Sequence, residues 1–434
     1  MDVAEQVCKH LSRTPEATIP LVDQYCAYYQ DLFPDVRTYE SFKLLHLGII
    51  SNIKRKSLPE LEKVVGISSQ SLHHFLSQSP WSLSHLEQRR LNKLLTILQG
   101  KEIILVVDET GDRKKGKKTD YVARQYLGNI GKIDNGIVSV NVYGIYQNIT
   151  FPLMTKIYKP ESKLKVEDKY QTKTEIAGEM VKELKKLGFK IKLVLADSLY
   201  GESSIFLKVL DELKLEYVVS IRSNHGVWMP SNQRVRANKW CKFTRIFSNG
   251  ETEIRYIREI IYGKRGMITY WEMTTDTETL PVNSTSFIMT NCQGNLKKRL
   301  GNLYGQRTWV EYGFRQCKQE LGWKDYRLTK IEGIEKWWSI INSVYTMVSL
   351  QTKQFRNLLF SGEEIKEKEE KIEAKDKINT WKKSLKKIMM MIEPLILFWL
   401  ITPWLKIVNS SLLLEGFNNL LSIAHLNRLY FPSG

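Results

Sequence analysis

The chain has 434 residues, of which 42% are hydrophobic and 11% aromatic, so packed cores are expected and a disordered chain is excluded. Lysine and arginine outnumber aspartate and glutamate by 65 to 47, which gives a formal net charge of +18. This excess predicts a polyanionic partner, with nucleic acid first and an anionic membrane surface second, and simple solubility is the alternative.

The cysteine pattern and the apolar tracts indicate the cellular compartment in which the protein is expected to work. The five cysteines are scattered and form no C-x-x-C pair, which predicts a reducing interior instead of a disulfide framework or a zinc ribbon. The first ten residues carry acids and no apolar core, and the most apolar tract, 394–405, is too short to span a bilayer. We therefore expect a soluble cytoplasmic protein that makes no use of a membrane.

The first region, residues 1–98, has few glycines and apolar residues at three- and four-residue spacing, which predicts helices. Within it, residues 57–79 place an apolar face before Gly66, and Ser68 or Ser69 can cap a second helix. This layout is typical of a helix-turn-helix that reads the major groove of DNA. An ordinary helical hairpin is the alternative, since the pattern is short and permissive.

Residues 99–222 alternate between strand and helix. The run "EIILVVDET" predicts a buried strand, further strands are expected around 121–128 and 137–158, and "KIKLVLADS" and "EYVVSIR" predict two more. Helices are expected over 173–187 and 203–214. This alternation is typical of an α/β layer fold.

Residues 223–298 show a period of two, with "SNGE" as a hairpin signal, which predicts an antiparallel β insertion. A helix is expected to begin near Leu300, and an apolar helix follows over 334–360, so that 299–360 forms one region. A mixed-sign charge run opens the last region, 361–434, which ends in apolar helix and is a candidate for dimerisation.

Two carboxylates, Asp108 and Asp197, end hydrophobic strands, which is where α/β folds place ligands and chemistry. Capping or turn formation is the alternative for either one. A basic, glycine-containing segment follows Asp108 and can track a phosphate backbone. Its candidate DNA-binding residues are Lys114, Lys115, Lys117, Lys118 and Arg124.

Strand-end acids beside basic loops suit divalent metal ions, but two aspartates rarely hold a metal pair and a third carboxylate is wanted. Glu311 meets this need, because Tyr304, Arg307, Glu311 and Lys318 are spaced to share one stripe of a helix. The alternative is a surface helix in which Glu311 forms ordinary ion pairs with its neighbours at four-residue spacing.

The spacing Y-x2-R-x3-E-x6-K resembles the signature of insertion-sequence DDE transposases of the IS4 superfamily. "DETGDRKKGKKTDYVARQYLGNIGK" and "LADSLYG" resemble the blocks around the first and second aspartates, particularly in the IS701 family. The likeness covers roughly residues 100–330, with the three blocks in the expected order.

This resemblance implies an α/β fold with an RNase H-like core, interrupted by the β insertion and flanked by helical N- and C-terminal regions. It implies that Asp108, Asp197 and Glu311 are catalytic and hold two Mg²⁺ ions, for which Mn²⁺ can substitute, while Tyr304, Arg307 and Lys318 contact phosphates. The expected activity is cleavage of element ends and joining of the freed 3′-OH to target DNA. The implied partners are double-stranded DNA and a second copy of the chain, in the bacterial nucleoid.

Some relatives with this signature hold a flipped base against aromatic residues, and Trp228, Trp240 and Trp271 are candidates for such stacking. Core packing is the alternative for each. Two other functions fit the same charge pattern: an inactive DNA-binding remnant, and a two-metal nuclease that transfers no strand.

Overall fold

The computed structural model describes residues 13–116, 118–227, 229, 231–247, 251–297, 299–359, 381–408, 412 and 415–416. The described residues form two compact units. Those of the first unit fall within 1–97, 118–120 and 315–434, and those of the second within 98–117 and 121–314.

The first unit is helical in its described parts. Its long buried helix, α11, has 15 buried residues among its 19. The Tyr25 hydroxyl donates to the Ser343 carbonyl oxygen of α11 at 3.0 Å. The helices that lie wholly or mainly in this unit are α1 (Pro20–Ala27), α2 (Val36–Ile50), α3 (Leu58–Val65), α4 (Ser69–Ser77), α5 (Leu83–Leu98), α11 (Ile331–Ser349), α12 (Lys353–Leu359) and α13 (Trp381–Val408).

The segment 57–79 folds as two short helices joined by a three-residue turn. Gly66 ends α3 in the left-handed conformation, with φ 69°, which glycine adopts without steric cost. The Ser68 hydroxyl caps α4 by accepting from the Ser71 amide at 3.2 Å. The helix bounds agree with the expected pattern, and groove reading stays a prediction.

The second unit contains one large mixed sheet with helices, a mixed α/β fold as expected. Most strand pairs are antiparallel, and β1–β5 and β5–β6 are parallel. The strand order is β2-β3-β1-β5-β6-β11-β10-β9-β7, with β4 beside β3 and β8 beside β9. The strands are β1 (Ile103–Arg113), β2 (Ala123–Leu127), β3 (Lys132–Tyr146), β4 (Ile149–Ile157), β5 (Ile191–Ala196), β6 (Tyr217–Ile221), β7 (Val235–Ala237), β8 (Cys241–Ile246), β9 (Thr252–Tyr262), β10 (Thr269–Thr274) and β11 (Ser286–Thr290).

The helices of this unit are α6 (Lys173–Lys186), α7 (Ser198–Gly201), α8 (Ser204–Glu212) and α9 (Leu300–Gly305), followed by α10 (Trp309–Gln319), which ends in the first unit. Two local expectations differ from the structure. The stretch 137–158 is a hairpin, because the chain turns at Gln147 with φ 52°. The helix expected from Leu300 is broken by a 3-10 turn, Gln306–Thr308, between α9 and α10.

Strands β7–β11 of the period-two segment do not form a separate sheet. β11 pairs with β6, so these strands extend the sheet that carries β1 and β5. A continuous apolar cluster runs across one face and includes Val106, Leu195 and Val218 of the central strands together with Trp271 and Val310. Among the described residues, no helix is both long and apolar enough to cross a membrane.

A buried histidine in the first unit makes its stability depend on pH. His46 Nδ1 lies 2.8 Å from the Phe42 carbonyl oxygen and Nε2 lies 2.9 Å from the Ser343 hydroxyl, an arrangement that suits the neutral ring. Burial lowers the pKa of His46 from 6.5 to about 4. The unfolded chain therefore binds a proton that the folded chain excludes between these two pH values.

We predict that this group removes up to about 3 kcal/mol from the free energy of unfolding as pH falls from about 6.5 to about 4. Urea unfolding across this range measures it, with His46→Gln as the non-titrating variant. The variant should show a shallower loss of stability with acid, whatever its stability at neutral pH. Equal pH dependence in both proteins would contradict the assignment.

Candidate active site

Asp108 and Asp197 lie at the same end of the β1–β5 pairing because these strands are parallel neighbours. The strand end expected at Asp108 is wrong, because β1 continues to Arg113 through its pairing with β3. Val107 of β1 is in register with Ala196 of β5, and the two aspartates are the next residues along each chain segment. Asp108 has 14% of its side chain exposed, and its Oδ1 accepts from the Glu109 amide at 2.8 Å. Two carboxylates are thus presented together by rigid elements.

Asp197 also caps a helix. Its Oδ1 accepts from the Leu199 amide at 2.9 Å, at the N-terminus of α7. The capping role considered from the sequence is therefore present. It uses one of the two carboxylate oxygens, so capping and ligand binding are compatible at this residue.

Arg307 connects Asp108 to Glu311. Its Nη1 lies 3.6 Å from Asp108 Oδ2, and its Nη2 lies 3.4 Å from Glu311 Oε1. The Arg307 side chain is 18% exposed and that of Glu311 is 54% exposed. The Arg307–Glu311 ion pair that the sequence suggested as a surface alternative is therefore present. Because the largely buried Arg307 guanidinium also contacts Asp108, this pair is part of the site and not only a surface ion pair.

The electrostatics of these groups are coupled. Burial raises the pKa of Asp108 to about 8; Arg307 opposes this rise, and the charges of Asp197 and Glu109 add to it. Burial by itself lowers the pKa of Arg307, but the nearby Tyr304, Asp108, Glu311 and Asp197 outweigh burial and raise it. The site therefore favours added positive charge beside its carboxylates.

Within the described parts of the chain, no group of three or more His, Cys, Asp and Glu side chains lies close enough together to hold a metal ion. The donor chemistry nevertheless fits a hard divalent cation, since Asp108, Asp197 and Glu311 all offer carboxylate oxygens. The structure brings Asp108 and Asp197 to one end of the β1–β5 pairing and connects Glu311 to Asp108 through Arg307.

The other signature residues have different surroundings. Tyr304 is 8% exposed and packs in the apolar cluster of the sheet. Lys318 is half-buried, two turns beyond Glu311 on α10, in the part of that helix that belongs to the first unit.

The basic segment after Asp108 is largely exposed. Lys114 forms an ion pair with Asp112 at 2.8 Å. Lys115, Lys118 and Arg124 are exposed, and Lys117 lies outside the described residues.

The three tryptophans proposed for base stacking do not share one environment. Trp271 is 4% exposed and belongs to the apolar cluster, and its Nε1 donates to the Thr269 hydroxyl. Trp240 is half-buried, and the Arg258 guanidinium lies 4.2 Å from its ring centroid. Trp228 lies outside the described residues.

The sequence did not predict a buried hydrogen bond between Tyr200 and Glu109, which connects the two segments that carry Asp108 and Asp197. The Tyr200 hydroxyl of α7 donates to Glu109 Oε2 at 3.1 Å, and Lys173 Nζ lies 3.6 Å from Glu109 Oε1. Neighbouring residues of a strand face opposite sides, so Glu109 points away from the Arg307 side of the sheet. The adjacent acids in "DET" and the tyrosine in "SLYG" were the available signals.

A second missed residue is Arg245 of β8. Its Nη2 donates to the Thr308 hydroxyl at 2.9 Å, and Arg245 is 7% exposed. A side chain on Gly305 would lie 3.3 Å from Arg245 Cγ. Strand β8 therefore packs directly on the turn that carries Arg307.

Known proteins share sequence similarity with most of this chain. Residues 30–242 match the family described as DDE superfamily endonuclease, a range that includes Asp108 and Asp197 and ends before Glu311. This match identifies the class of enzyme as a DDE endonuclease. Over 325 residues, the chain is 54% identical to a protein of Microchaete diplosiphon named as a probable transposase for insertion sequence element IS701, an alignment that covers 74% of this chain and 86% of the relative. The chain belongs to the IS701 family of DDE transposases.

Gly201 is required by close packing beside Asp197. A Cβ at this position would lie 2.0 Å from the Ser220 carbonyl oxygen, whereas a Cβ on exposed Gly226 would meet nothing within 4 Å. We predict that Gly201→Ala lowers the free energy of unfolding by about 1–3 kcal/mol, because α7 must move away from β6.

Chemical denaturation measures this effect, and Gly226→Ala is the matched control, with an expected change within about 0.5 kcal/mol. Equal stability of the two variants would show that α7 does not pack against β6 as described.

Proposed function

We propose that this transposase binds the terminal inverted repeats of its insertion sequence, cleaves the ends with Asp108, Asp197 and Glu311, and joins the 3′-OH ends to target DNA. The observation that carries the proposal is the position of Arg307, which pairs with Asp108 and Glu311 at the end of the β1–β5 pairing that also bears Asp197. A guanidinium beside three acids suits a site that must receive both cations and phosphate oxygens.

The finer architecture belongs to the same proposal. Antiparallel β1, β3 and β4, parallel β5 and β6, and the helix bearing Glu311 have the order of an RNase H-like core. The proposed domains are a helical DNA-binding region at 1–98, the core at 99–222 and 299–360, an insertion at 223–298, and a C-terminal region at 361–434.

Asp108, Asp197 and Glu311 would hold two divalent ions, Mg²⁺ by preference, which when bound supply positive charge that activates the attacking oxygen and stabilises the leaving oxygen. The remaining work is positioning, because phosphoryl transfer requires no covalent enzyme intermediate. Nε of Arg307 is buried and has no hydrogen-bond partner among the described residues, so it has donor capacity for a phosphate oxygen. Arg307 would exchange a carboxylate contact for a phosphate contact when DNA binds.

Duplex DNA would be recognised by separate surfaces. The exposed face of α4 offers Gln70, Ser71 and His74, and Gln78 follows at its C-terminal end; these polar side chains can hydrogen-bond to base edges. The lysines after Asp108 would contact the backbone together with Lys318. Because two element ends must be processed together, we propose a homodimer on DNA.

Two alternative functions predict different experimental results. An inactive remnant would bind the ends without cutting them, and a two-metal nuclease would cut without joining. The retention of all three acids and of Arg307 among them favours the transposase over both.

We predict that Asp108→Asn, Asp197→Asn and Glu311→Gln each reduce end cleavage by about 10²- to 10³-fold or more, because each removes a charge from the reacting centre without changing side-chain shape. Purified protein, Mg²⁺ and a duplex carrying the flanking inverted repeat are the reagents, and cleaved and joined products are resolved on a gel. Each variant should still bind the duplex.

The matched control is Glu278→Gln, an acid-to-amide change at an exposed residue of the same unit, which should cleave like the wild type. Binding without metal-dependent cutting by the wild type would favour the remnant. Cutting that never yields joined products would favour the nuclease.

A further inference from the structure

One tip of the sheet in the second unit exposes apolar side chains beside cations. This tip, the end hairpin, is defined as residues 123–136 and consists of β2, the turn Gly128–Ile130 and the start of β3. Tyr126 is 54% exposed, Ile130 36% and Ile133 60%. Single exposed apolar residues are ordinary, but three neighbours at one tip mark an interaction surface.

Strand pairing places two of these residues side by side. Tyr126 of β2 is in register with Ile133 of β3, so their side chains lie on one face of the hairpin. Arg124 is two residues from Tyr126 and therefore points to that same face. Ile130 lies in the turn that joins the two strands. The face is thus apolar at its tip and cationic at its base.

The charge around this tip favours a polyanion over a second copy of the chain. The described residues of 111–116 and 121–136 contain Arg113, Lys114, Lys115, Arg124 and Lys132 against Asp112 and Asp134, a net charge of 5 − 2 = +3. Arg113 pairs with Asp134 at 2.9 Å, which satisfies that acid locally. Two such tips would repel each other, whereas a phosphate backbone would attract them.

The end hairpin lies close enough to the candidate active site to contact the same DNA duplex. Asn141 of β3 is the register partner of Asp108, and Ile133 is eight residues earlier on the same strand, beyond Gly136, the partner of the last residue of β1. At about 3.3 Å per residue, the distance along the strand is about 26 Å. This is less than one turn of B-DNA, about 34–36 Å.

We propose that the end hairpin docks in the minor groove of the duplex held at the active site, within about one helical turn of the reacting bond. Arg124 and Lys132 contact phosphates, while Tyr126, Ile130 and Ile133 pack against the groove and partly unstack a base step. The inference rests on the proposed function for the position of the DNA, and it adds a contact outside the acidic site.

The test measures binding of the full-length protein, without metal, to a fluorescent duplex of the inverted repeat and its flank. The double variant Tyr126→Ser/Ile133→Ser should bind about tenfold more weakly, with an unchanged dependence on salt because no charge is lost. The double variant Arg124→Gln/Lys132→Gln should lower the slope of log K against log salt by about 2, since each phosphate contact contributes about 0.9.

The matched control is Ile205→Ser, which removes an equally exposed apolar side chain from α8 in the same unit. It should bind like the wild type, and unchanged melting temperatures would show that the variants fold. A 2-aminopurine probe placed along the duplex should brighten within about one turn of the cleaved bond with the wild type and not with the serine double variant.

Wild-type binding that the serine double variant reproduces would overturn the inference and leave the proposed function standing. Loss of dimer in the serine double variant, with unchanged DNA affinity, would also overturn it and assign the tip to a second copy. A wild-type protein that binds no duplex would overturn both the inference and the proposed function.

Discussion

The ion pairs of Arg307 with Asp108 and Glu311 connect a strand in the centre of the sheet to a helix about 200 residues later in the chain. Burial disfavours the charged form of Asp108, and the charges of Asp197 and Glu109 repel it further, so that the pKa of Asp108 rises to about 8. The positive charge of Arg307 offsets part of this rise. The surrounding strands and helices hold the Asp108, Arg307 and Glu311 side chains at the distances at which they pair.

The sheet supplies the first part of that framework. Parallel pairing of β1 and β5 brings Asp108 and Asp197 to one end, and the Glu109–Tyr200 hydrogen bond ties β1 to the helix that Asp197 caps. Close packing of Gly201 against Ser220 fixes that helix on β6. On the opposite face, Arg245 of β8 holds the turn that carries Arg307 through Thr308. The inserted strands therefore contribute to the geometry of the site as well as to the size of the sheet.

Much of this was predictable from local patterns. The buried strands that carry Asp108 and lead into Asp197, the helix over 173–187 and the period-two segment all follow from the spacing of apolar residues over short stretches. The continuation of β1 beyond Asp108 to Arg113 was not predicted, because it depends on pairing with β3. The remainder depends on long-range contacts. Glu109 and Tyr200 are 91 residues apart, and Arg245 and Thr308 are 63 apart, so no local pattern pairs them. Strands β7–β11 likewise join the central sheet only through the long-range pairing of β11 with β6. The roles of Asp108, Asp197 and Glu311 in metal binding stay predictions.

The most direct test of the central claim is to locate the metal site on the polypeptide itself. Fe²⁺ substituted for Mg²⁺ in the DNA-bound protein, followed by ascorbate and peroxide, cleaves the chain beside the bound metal, and mass spectrometry identifies the cut positions. The account predicts cuts near Asp108, Asp197 and Glu311 together, all suppressed by excess Mg²⁺. Cuts confined to other segments, or cuts near the aspartates with none near Glu311, would contradict a site shared by the three carboxylates.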